Sequence, residues 1–385
     1  MNEPIEAAAT FLHEERTTLE RFLPGLDEQL AAIPLRELES KQSRAIELFR
    51  AAGGCGLIIQ TEHHGAGASL LDAVRIQRAI GTRSPSLAIA TNMHHFSTAS
   101  LVVMSEQGGG FEWMLLQGIA DGRKLLASGF GEGVSGRGMF APLMRARRGD
   151  GRWYVTGAKR PCSLAHSMDL LTASVVIEDE TVENPGFAVV LVPADAPGVE
   201  VQPFWEADVL GGAENDAVIL TEVPVDDELV IPFGDPANAL QDRVQAAGFV
   251  WFESLMSAAY IGMASTLAER VLHANRWDAS ATMSPVVELE AAFAAVEGLA
   301  REMAVTAVGP RVLVRSLAVR YAAQEAINRA VASAVEQLGG VAFMRSNEVG
   351  YFASATRALG LHPPGRLPTM AALQAAYTGE PLVIR

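Results

Sequence analysis

The stretch LMRARRGDGRWYVT, at residues 143–156, decides the fold class of this chain. Two strand-like runs, 143–148 and 152–156, flank a Gly-Asp-Gly turn at 149–151. An Asp-Gly pair between two such runs is typical of a β-hairpin, because these residues tolerate the positive φ angles that tight hairpin turns require. The stretch therefore predicts an antiparallel strand pair near the middle of the chain.

Further candidate strands surround this hairpin. They are apolar or β-branched runs at residues 124–129, 170–177, 187–192, 217–220 and 223–225. Prolines lie between several of the runs, where they interrupt regular strand pairing. Together the runs predict a β-domain over residues 124–234.

The chain on either side of this β-domain has helical periodicity. Before it, apolar residues recur at helical spacing over 7–23, 40–52 and 70–80, and a further helix is predicted over 93–106. After it, four long helical segments lie between residues 239 and 361, and a short final helix is predicted at 367–378. The frequent small residues in the long segments favour a tightly packed bundle.

The succession of elements predicts an α+β fold with three domains. These are an N-terminal helical domain (1–123), a central β-barrel-like domain (124–234) and a C-terminal four-helix bundle (235–385). Alternating strand and helix units are missing from the sequence, which excludes a Rossmann fold.

Composition and charge exclude several classes of protein. The 385 residues carry a formal net charge of −15, which disfavours a nucleic-acid partner. Cys55 and Cys162 lack the spacing of a disulfide framework or a metal site, and they fit a reducing, cytoplasmic location. The chain begins without an apolar signal-peptide core. Its most apolar stretch, 249–267, contains Glu253 and is interpreted as a buried bundle helix instead of a membrane span.

Five short motifs follow one another along this frame. They are Thr61-Glu62-His63-His64-Gly65-Ala66-Gly67, Phe130-Gly131-Glu132-Gly133-Val134-Ser135-Gly136, Gly157-Ala158-Lys159 with Ser163 and Asp169, the strand pair at 209–225, and Gly339-Gly340 with Arg357. In this order the chain resembles the acyl-CoA dehydrogenase superfamily of flavoproteins over nearly its whole length. The resemblance implies FAD as the cofactor, a small-molecule or carrier-bound acyl substrate, and a homodimer or homotetramer.

The resemblance also implies a flavin site that is divided among three segments. The segments supply, in chain order, Phe130, Gly131, Glu132, Ser135, Gly136 and Arg137 from a loop, Cys162 and Ser163 from a strand end, and Arg276, Gly339 and Gly340 from the bundle. Glycines in the loop would let backbone N–H groups approach the flavin ring or a phosphate. Gly131, Arg137 and Glu336 stand where the family has a threonine, a serine and a glutamine.

The catalytic base of a dehydrogenase is missing from both positions where the family places it. Such a carboxylate removes the α-proton of an acyl thioester from within an apolar cleft. At the two positions this chain has Phe252 and Pro363. Glu253, the only acid between residues 249 and 267, is predicted to be either functional or ion-paired in the bundle.

Two oxidoreductase functions follow from the resemblance. The favoured one is desaturation of an acyl thioester, with Glu253 as the base and an electron-transfer partner. The alternative is a two-component monooxygenase, which takes reduced flavin from a flavin reductase and needs no carboxylate base. A non-catalytic member of the family is a third hypothesis.

Flavin-dependent monooxygenases of the same superfamily resemble this chain in two details. One is the Cys162-Ser163 pair, and the other is His362 in an L-H-x-P stretch. His362 could move a proton near the flavin, since imidazole titrates close to neutral pH. His94 or His95, on the helix predicted at 93–106, could face the same cleft.

Overall fold

The order of elements is helices, then strands, then helices again. The computed structural model of the chain describes residues 10–107, 110–129, 142–178, 186–233 and 242–384. The order agrees with the sequence, and the predicted α+β fold is confirmed. The domain boundaries after residues 123 and 234 stay a prediction.

The helices that precede the sheet are α1 (His13–Phe22), α2 (Leu26–Ala31), α3 (Leu35–Leu38), α4 (Ala45–Ala51), α5 (Leu70–Arg83), α6 (Pro85–Gln107) and α7 (Glu112–Asp121). The start of α5 is fixed by a capping box, in which Ser69 and Asp72 each accept a hydrogen bond from the other's backbone N–H. Helix α6 begins at Pro85, well before the predicted residue 93. Nearly all of its first half is buried, so no polar face marks the helical period there.

The strands are β1 (Leu126–Gly129), β2 (Arg145–Gly149), β3 (Arg152–Cys162), β4 (Leu170–Glu178), β5 (Gly186–Pro193), β6 (Val199–Gln202), β7 (Asp216–Val225) and β8 (Val230–Phe233). Strands β2 and β3 form the predicted hairpin, with Gly149 paired to Arg152. Asp150 and Gly151 adopt φ angles of 47° and 77°. A type I′ turn requires positive φ at both central residues, so the Asp-Gly pair explains the turn.

The strands join in one mixed sheet whose main path is β6-β7-β3-β2-β4-β5-β8. One edge of β4 is shared, because its first half pairs in parallel with β1 and its second half in parallel with β2. The runs predicted at 217–220 and 223–225 are one continuous strand, β7. Strand β1 therefore ends beside β4, in the interior of the sheet.

The C-terminal helices are α8 (Arg243–Ala274), α9 (Ala279–Val305), α10 (Pro310–Arg345), α11 (Asn347–Ala355) and α12 (Arg366–Tyr377). Helix α8 is buried along most of its length, which confirms the interpretation of residues 249–267 as a bundle helix. Within the described ranges, no helix has both the length and the apolar character needed to cross a membrane.

Helices α5 and α8 approach each other through glycines. A Cβ atom at Gly81 would lie 2.4 Å from Ala259 O, and one at Gly262 would lie 2.2 Å from Arg78 O. Real side chains do not come this close to a backbone oxygen, so the two helices are packed at a distance that only glycine permits.

We expect Gly262→Ala to lower the free energy of unfolding by about 1–3 kcal/mol, because the added methyl forces two packed backbones apart. The matched control is Gly298→Ala in α9, where a Cβ would meet nothing within 4 Å. That change should be neutral or stabilise by up to about 1 kcal/mol, the helix propensity gained. Chemical denaturation measures both, and equal effects would contradict the close packing.

Candidate active site

Ser163 lies directly after β3, where the chain leaves the sheet. Its side chain is buried, and its Oγ donates a hydrogen bond to Asn215 Oδ1 at 2.6 Å. The neighbouring Cys162 Sγ lies 3.9 Å from Ser128 O, in β1. Cys162 and Ser163 therefore lie beside the strand from which the glycine-rich loop departs. The predicted loop residues, Phe130, Gly131, Glu132, Ser135, Gly136 and Arg137, lie outside the described residues.

Arg276 and the Gly339-Gly340 pair meet at one end of the bundle. Arg276 Nη1 donates to Leu338 O at 3.4 Å. Gly339 interrupts α10 with a non-helical φ of 77°, and a Cβ on either glycine would meet nothing within 4 Å. The residues predicted to bind one flavin thus form two groups, one around Ser163 and one around Arg276.

Glu253 is bound to Arg320 and does not face an open cleft. Arg320 Nη1 lies 2.9 Å from both carboxylate oxygens of Glu253, and both side chains are buried. Burial raises the pKa of Glu253 to about 7, while the charge of Arg320 acts in the opposite direction. Of the two roles predicted for Glu253, this geometry is that of the ion pair.

The same guanidinium group ties the Glu253 helix to the segment around His362. Arg320 donates to Pro363 O at 3.1 Å, to His362 O at 2.6 Å and to Leu359 O at 3.2 Å. One side chain of α10 thus connects α8 to the chain that follows α11. Pro363, one of the two family base positions, contributes only a backbone oxygen here.

His362 is held by a phenol. Its Nε2 lies 2.8 Å from Tyr260 Oη on α8. Burial, followed by the positive charge of Arg320, lowers the pKa of His362 to about 3, and burial raises the pKa of Tyr260. The tyrosine therefore donates, and a neutral His362 accepts.

Both ring nitrogens of His94 form hydrogen bonds with the backbone. Leu126 N–H donates to its Nδ1 at 3.1 Å, so the ring hydrogen must be on Nε2, which lies 2.9 Å from Cys55 O. Burial lowers the pKa of His94 to about 4, so the ring stays neutral. Of the two adjacent histidines, His94 connects α6 to β1.

His95 is buried without any hydrogen-bond partner in the described chain, and the same is true of Asn92. Residues three apart on a helix share a face, so four unpaired polar atoms lie side by side on α6. A buried polar atom without a partner costs about 1–3 kcal/mol, which a bound ligand would recover. Burial, and next the nearby His94, lowers the pKa of His95 well below 6.5. Asn92 was not predicted from the sequence, although a polar residue three positions before His95 on an apolar helix is a signal for a shared buried face.

Phe252, the second family base position, packs against α6 next to a cavity. Its ring meets that of Phe96 edge to face, with 5.4 Å between centroids. Phe96 also lines a cavity of about 280 Å³ between α6, the sheet and the start of α8. Thr172, which pairs with Ser128 of β1, lies in its wall. The cavity is therefore next to the strand that carries the glycine-rich loop.

The neutral buried histidines predict a specific loss of stability in acid. An unfolded histidine takes up a proton below about pH 6.5, whereas folded His94 and His95 do so only at lower pH. The unfolded state therefore binds more protons, and the free energy of unfolding falls as the pH drops below 6.5. At pH 5.5 we expect a loss of about 1.4 kcal/mol from His94 and a further loss of the same sign from His95. Melting curves of the wild type and His95→Leu at pH 7.5 and 5.5 measure this; equal pH slopes would contradict it.

Solved structures with the same architecture bind flavin cofactors or acyl thioesters. The structure of KijD3 with FMN and dTDP-3-amino-2,3,6-trideoxy-4-keto-3-methyl-D-glucose covers 97% of this chain and 95% of its own, with a TM-score of 0.79 and 18% identity. The glutaryl-coenzyme A dehydrogenase complex with glutaryl-CoA covers 98% of both chains, with a TM-score of 0.78 and 16% identity. At these identities the likeness shows the fold alone.

One relative extends the likeness to the whole sequence. Isobutylamine N-hydroxylase of Streptomyces viridifaciens is 39% identical over 376 residues, which cover 97% of this chain and 99% of that protein. The chain belongs to the acyl-CoA dehydrogenase superfamily. It is a flavin-dependent oxidoreductase of that superfamily, as the motifs predicted. No family model matches the chain.

The described residues fit a flavin-dependent member of the superfamily. Ser163 Oγ uses its hydrogen on Asn215 and has no other partner in the described chain, which leaves its lone pairs for a ligand. Within the described chain, His95 and Asn92 carry buried side-chain polar atoms that have no hydrogen-bond partner.

Proposed function

We propose that the chain is the oxygenase component of a two-component flavin monooxygenase that hydroxylates the nitrogen of an aliphatic primary amine. The observation that carries this proposal is the full-length relative at 39% identity, an amine N-hydroxylase. The proposed reaction converts R–NH₂, dioxygen, two electrons and two protons into R–NHOH and water. One O–O bond breaks and one N–O bond forms.

The pairing of Glu253 supports this proposal over desaturation of a thioester. A base for α-proton removal must be free to move onto a substrate proton, and the Glu253 carboxylate is held by Arg320 at two oxygens. The family's own base positions hold Phe252 and Pro363. N-hydroxylation needs no carbon acid to be deprotonated, so the missing base is consistent with it.

Asn92 and His95 are suited to bind an uncharged amine. An aliphatic ammonium has a pKa of about 10.4, like lysine, and must lose a proton before its lone pair can react. A neutral amine offers two N–H donors, and Asn92 Oδ1 and the unprotonated nitrogen of His95 are two acceptors. This arrangement leaves the nitrogen lone pair free. His95 would then orient the amine, as a hydrogen-bond acceptor, while the N–O bond forms.

Reduced flavin, when bound, supplies the two electrons and activates dioxygen. Cys162 and Ser163 would hold it at the end of β3, with the predicted loop residues. We propose FAD as the cofactor, as the resemblance implies. A separate flavin reductase would supply it in reduced form. Arg276, Gly339 and Gly340 would reach the far end of FAD from the bundle, and binding of FMN alone would remove them from the site.

An apolar face that directly follows Gly339 and Gly340 in the chain supports the predicted homodimer or homotetramer. Val341, Phe343 and Met344, after the break in α10, are 63%, 52% and 76% exposed. Exposed apolar clusters of this kind are typical of protein interfaces. We propose that a second copy of the chain covers them. The cytoplasmic location stays a prediction.

A reconstituted reaction tests the proposed function. The purified protein is combined with a flavin reductase, NADH, FAD or FMN, and isobutylamine, and the hydroxylamine is measured. We expect product only when reductase and flavin are both present. In a parallel anaerobic titration with acyl thioesters of several lengths, the flavin should keep its yellow colour. Bleaching by a thioester, without hydroxylamine formation, would favour desaturation.

A further inference from the structure

A continuous chain of hydrogen bonds runs from Ser163 to a buried carboxylate, Glu39. Ser163 Oγ donates to Asn215 Oδ1 at 2.6 Å, and Asn215 Nδ2 donates to Leu210 O at 3.1 Å. The backbone N–H of Leu210 donates to Tyr351 Oη at 2.8 Å. Tyr351 in turn donates to Glu39 Oε2. The chain connects the end of β3 to α11 and to the turn after α3.

Burial raises the pKa of Glu39, but the two bonds of Leu210 have one direction in either protonation state of that carboxyl, because the Leu210 N–H can only donate and its carbonyl can only accept. Glu39 also accepts from the Ser84 and Ser86 hydroxyls and from Ser86 N–H, so every one of its partners is a donor. Burial, together with Glu39, raises the pKa of Tyr351, whose hydroxyl keeps its hydrogen. At the other end, the carbonyl of Leu210 can only accept.

The orientation of the Asn215 amide follows from that carbonyl. Its nitrogen must face Leu210 O, so its oxygen must face Ser163. The Ser163 hydroxyl, whose only hydrogen-bond partner in the described chain is Asn215, then has to donate. The side of Ser163 Oγ that faces a ligand consists of lone pairs alone.

The loop at 210–214, which leads into Asn215, has a strained backbone and is held in place by hydrogen bonds. Leu210 and Glu214 adopt positive φ angles of 63° and 57°, which are costly for residues with a side chain. Tyr351 fixes the start of the loop, and Glu214 is fixed by the backbone N–H groups of His166 and Ser167. Strain of this kind persists only where the surroundings determine the conformation, so Asn215 has little freedom to turn.

We propose that Asn215, anchored through Leu210 by Tyr351 and Glu39, is a positioning residue that keeps Ser163 as a hydrogen-bond acceptor toward the flavin. The inference rests on the proposed function, because it assumes that a flavin lies against Ser163. Reduced flavin carries a hydrogen on N5 and oxidised flavin does not. With the N5 edge of the flavin against Ser163, an acceptor there would favour the reduced form, which a two-component monooxygenase takes from its reductase.

Equilibrium binding of oxidised and reduced flavin, measured anaerobically and without amine, tests this role. In the wild type we expect reduced flavin to bind at least about tenfold more tightly, the worth of one hydrogen bond. Asn215→Leu frees the Ser163 hydrogen and should remove about a tenfold preference, which equals about 30 mV in the two-electron potential of the bound flavin.

Tyr321→Phe is the control, because it removes a buried phenol that binds a backbone oxygen elsewhere, Pro364 O. It should leave the ratio of the two affinities unchanged. An unchanged ratio in folded Asn215→Leu, or equal affinities in the wild type, would overturn the proposal. If Asn215→Leu does not fold, Ser163→Ala takes its place: loss of the preference supports the proposal, and an unchanged ratio overturns it. Hydroxylamine formation is assayed separately, so a failure here leaves the proposed function standing.

Discussion

Replacing His95 with leucine is expected to abolish N-hydroxylation and, at the same time, to stabilise the fold. The imidazole is buried and makes no hydrogen bond within the described chain, so leucine removes no bond. It removes two unpaired polar atoms, and we expect the free energy of unfolding to rise by about 1–3 kcal/mol. Turnover should fall by about 100-fold or more, because the proposed hydrogen-bond acceptor that orients the amine is lost.

His94→Leu is the matched control, since the two histidines are adjacent and equally buried. His94 holds Leu126 N–H and Cys55 O, so its loss leaves two backbone groups unpaired. We expect it to lower the free energy of unfolding by about 1–3 kcal/mol. Thermal denaturation and turnover per folded protein separate the two histidines. If His95→Leu were destabilised and kept full turnover, His95 would be a structural residue.

The second large effect is expected from Arg320. In Arg320→Met the Glu253 carboxylate stays buried without its partner, and three backbone oxygens lose a donor. Removing one member of a buried ion pair costs about 3–5 kcal/mol, so the variant should unfold at much lower denaturant concentration. The control is Arg301→Met, because the Arg301 side chain is exposed and its partner Glu297, one helical turn away, keeps its ion pair with Arg75. That change should stay within about 0.5 kcal/mol.

Glu253→Gln then separates structure from chemistry. The amide keeps the shape of the carboxylate and one acceptor for Arg320, so the protein should fold with a moderate loss of stability. If Glu253 only pairs with Arg320, turnover per folded protein should be close to that of the wild type. Loss of all turnover in a folded Glu253→Gln variant would restore Glu253 as a catalytic base.

Local chemistry made much of the fold predictable. The Asp150-Gly151 turn was predictable because its φ angles demand such residues, and the buried helix at 249–267 because of its apolar length. The start of α6 was not, since a helix buried on all sides has no polar face to mark it. Strands β6 and β8, with four residues each, are too short to show a period.

The site was predictable only in part, because its decisive contacts join residues far apart in sequence. The resemblance gave Ser163 and His362 as candidates, and the helix predicted at 93–106 gave His94 or His95. It could not give the partner of Glu253, since Arg320 is 67 residues away and reaches it only after α8 and α10 pack together. Asn215 could not be predicted for the same reason, because its proposed role depends on a hydrogen bond to Ser163, 52 residues away.

Oxygen transfer to an amine nitrogen is the central claim, and isotope labelling tests it most directly. The protein is supplied with flavin reductase, NADH, flavin and isobutylamine under dioxygen labelled with oxygen-18, and the product is analysed by mass spectrometry. We predict a hydroxylamine that carries one labelled oxygen atom and that is missing when the reductase is omitted. A product without labelled oxygen, or an unsaturated thioester formed from an acyl substrate in its place, would contradict the account.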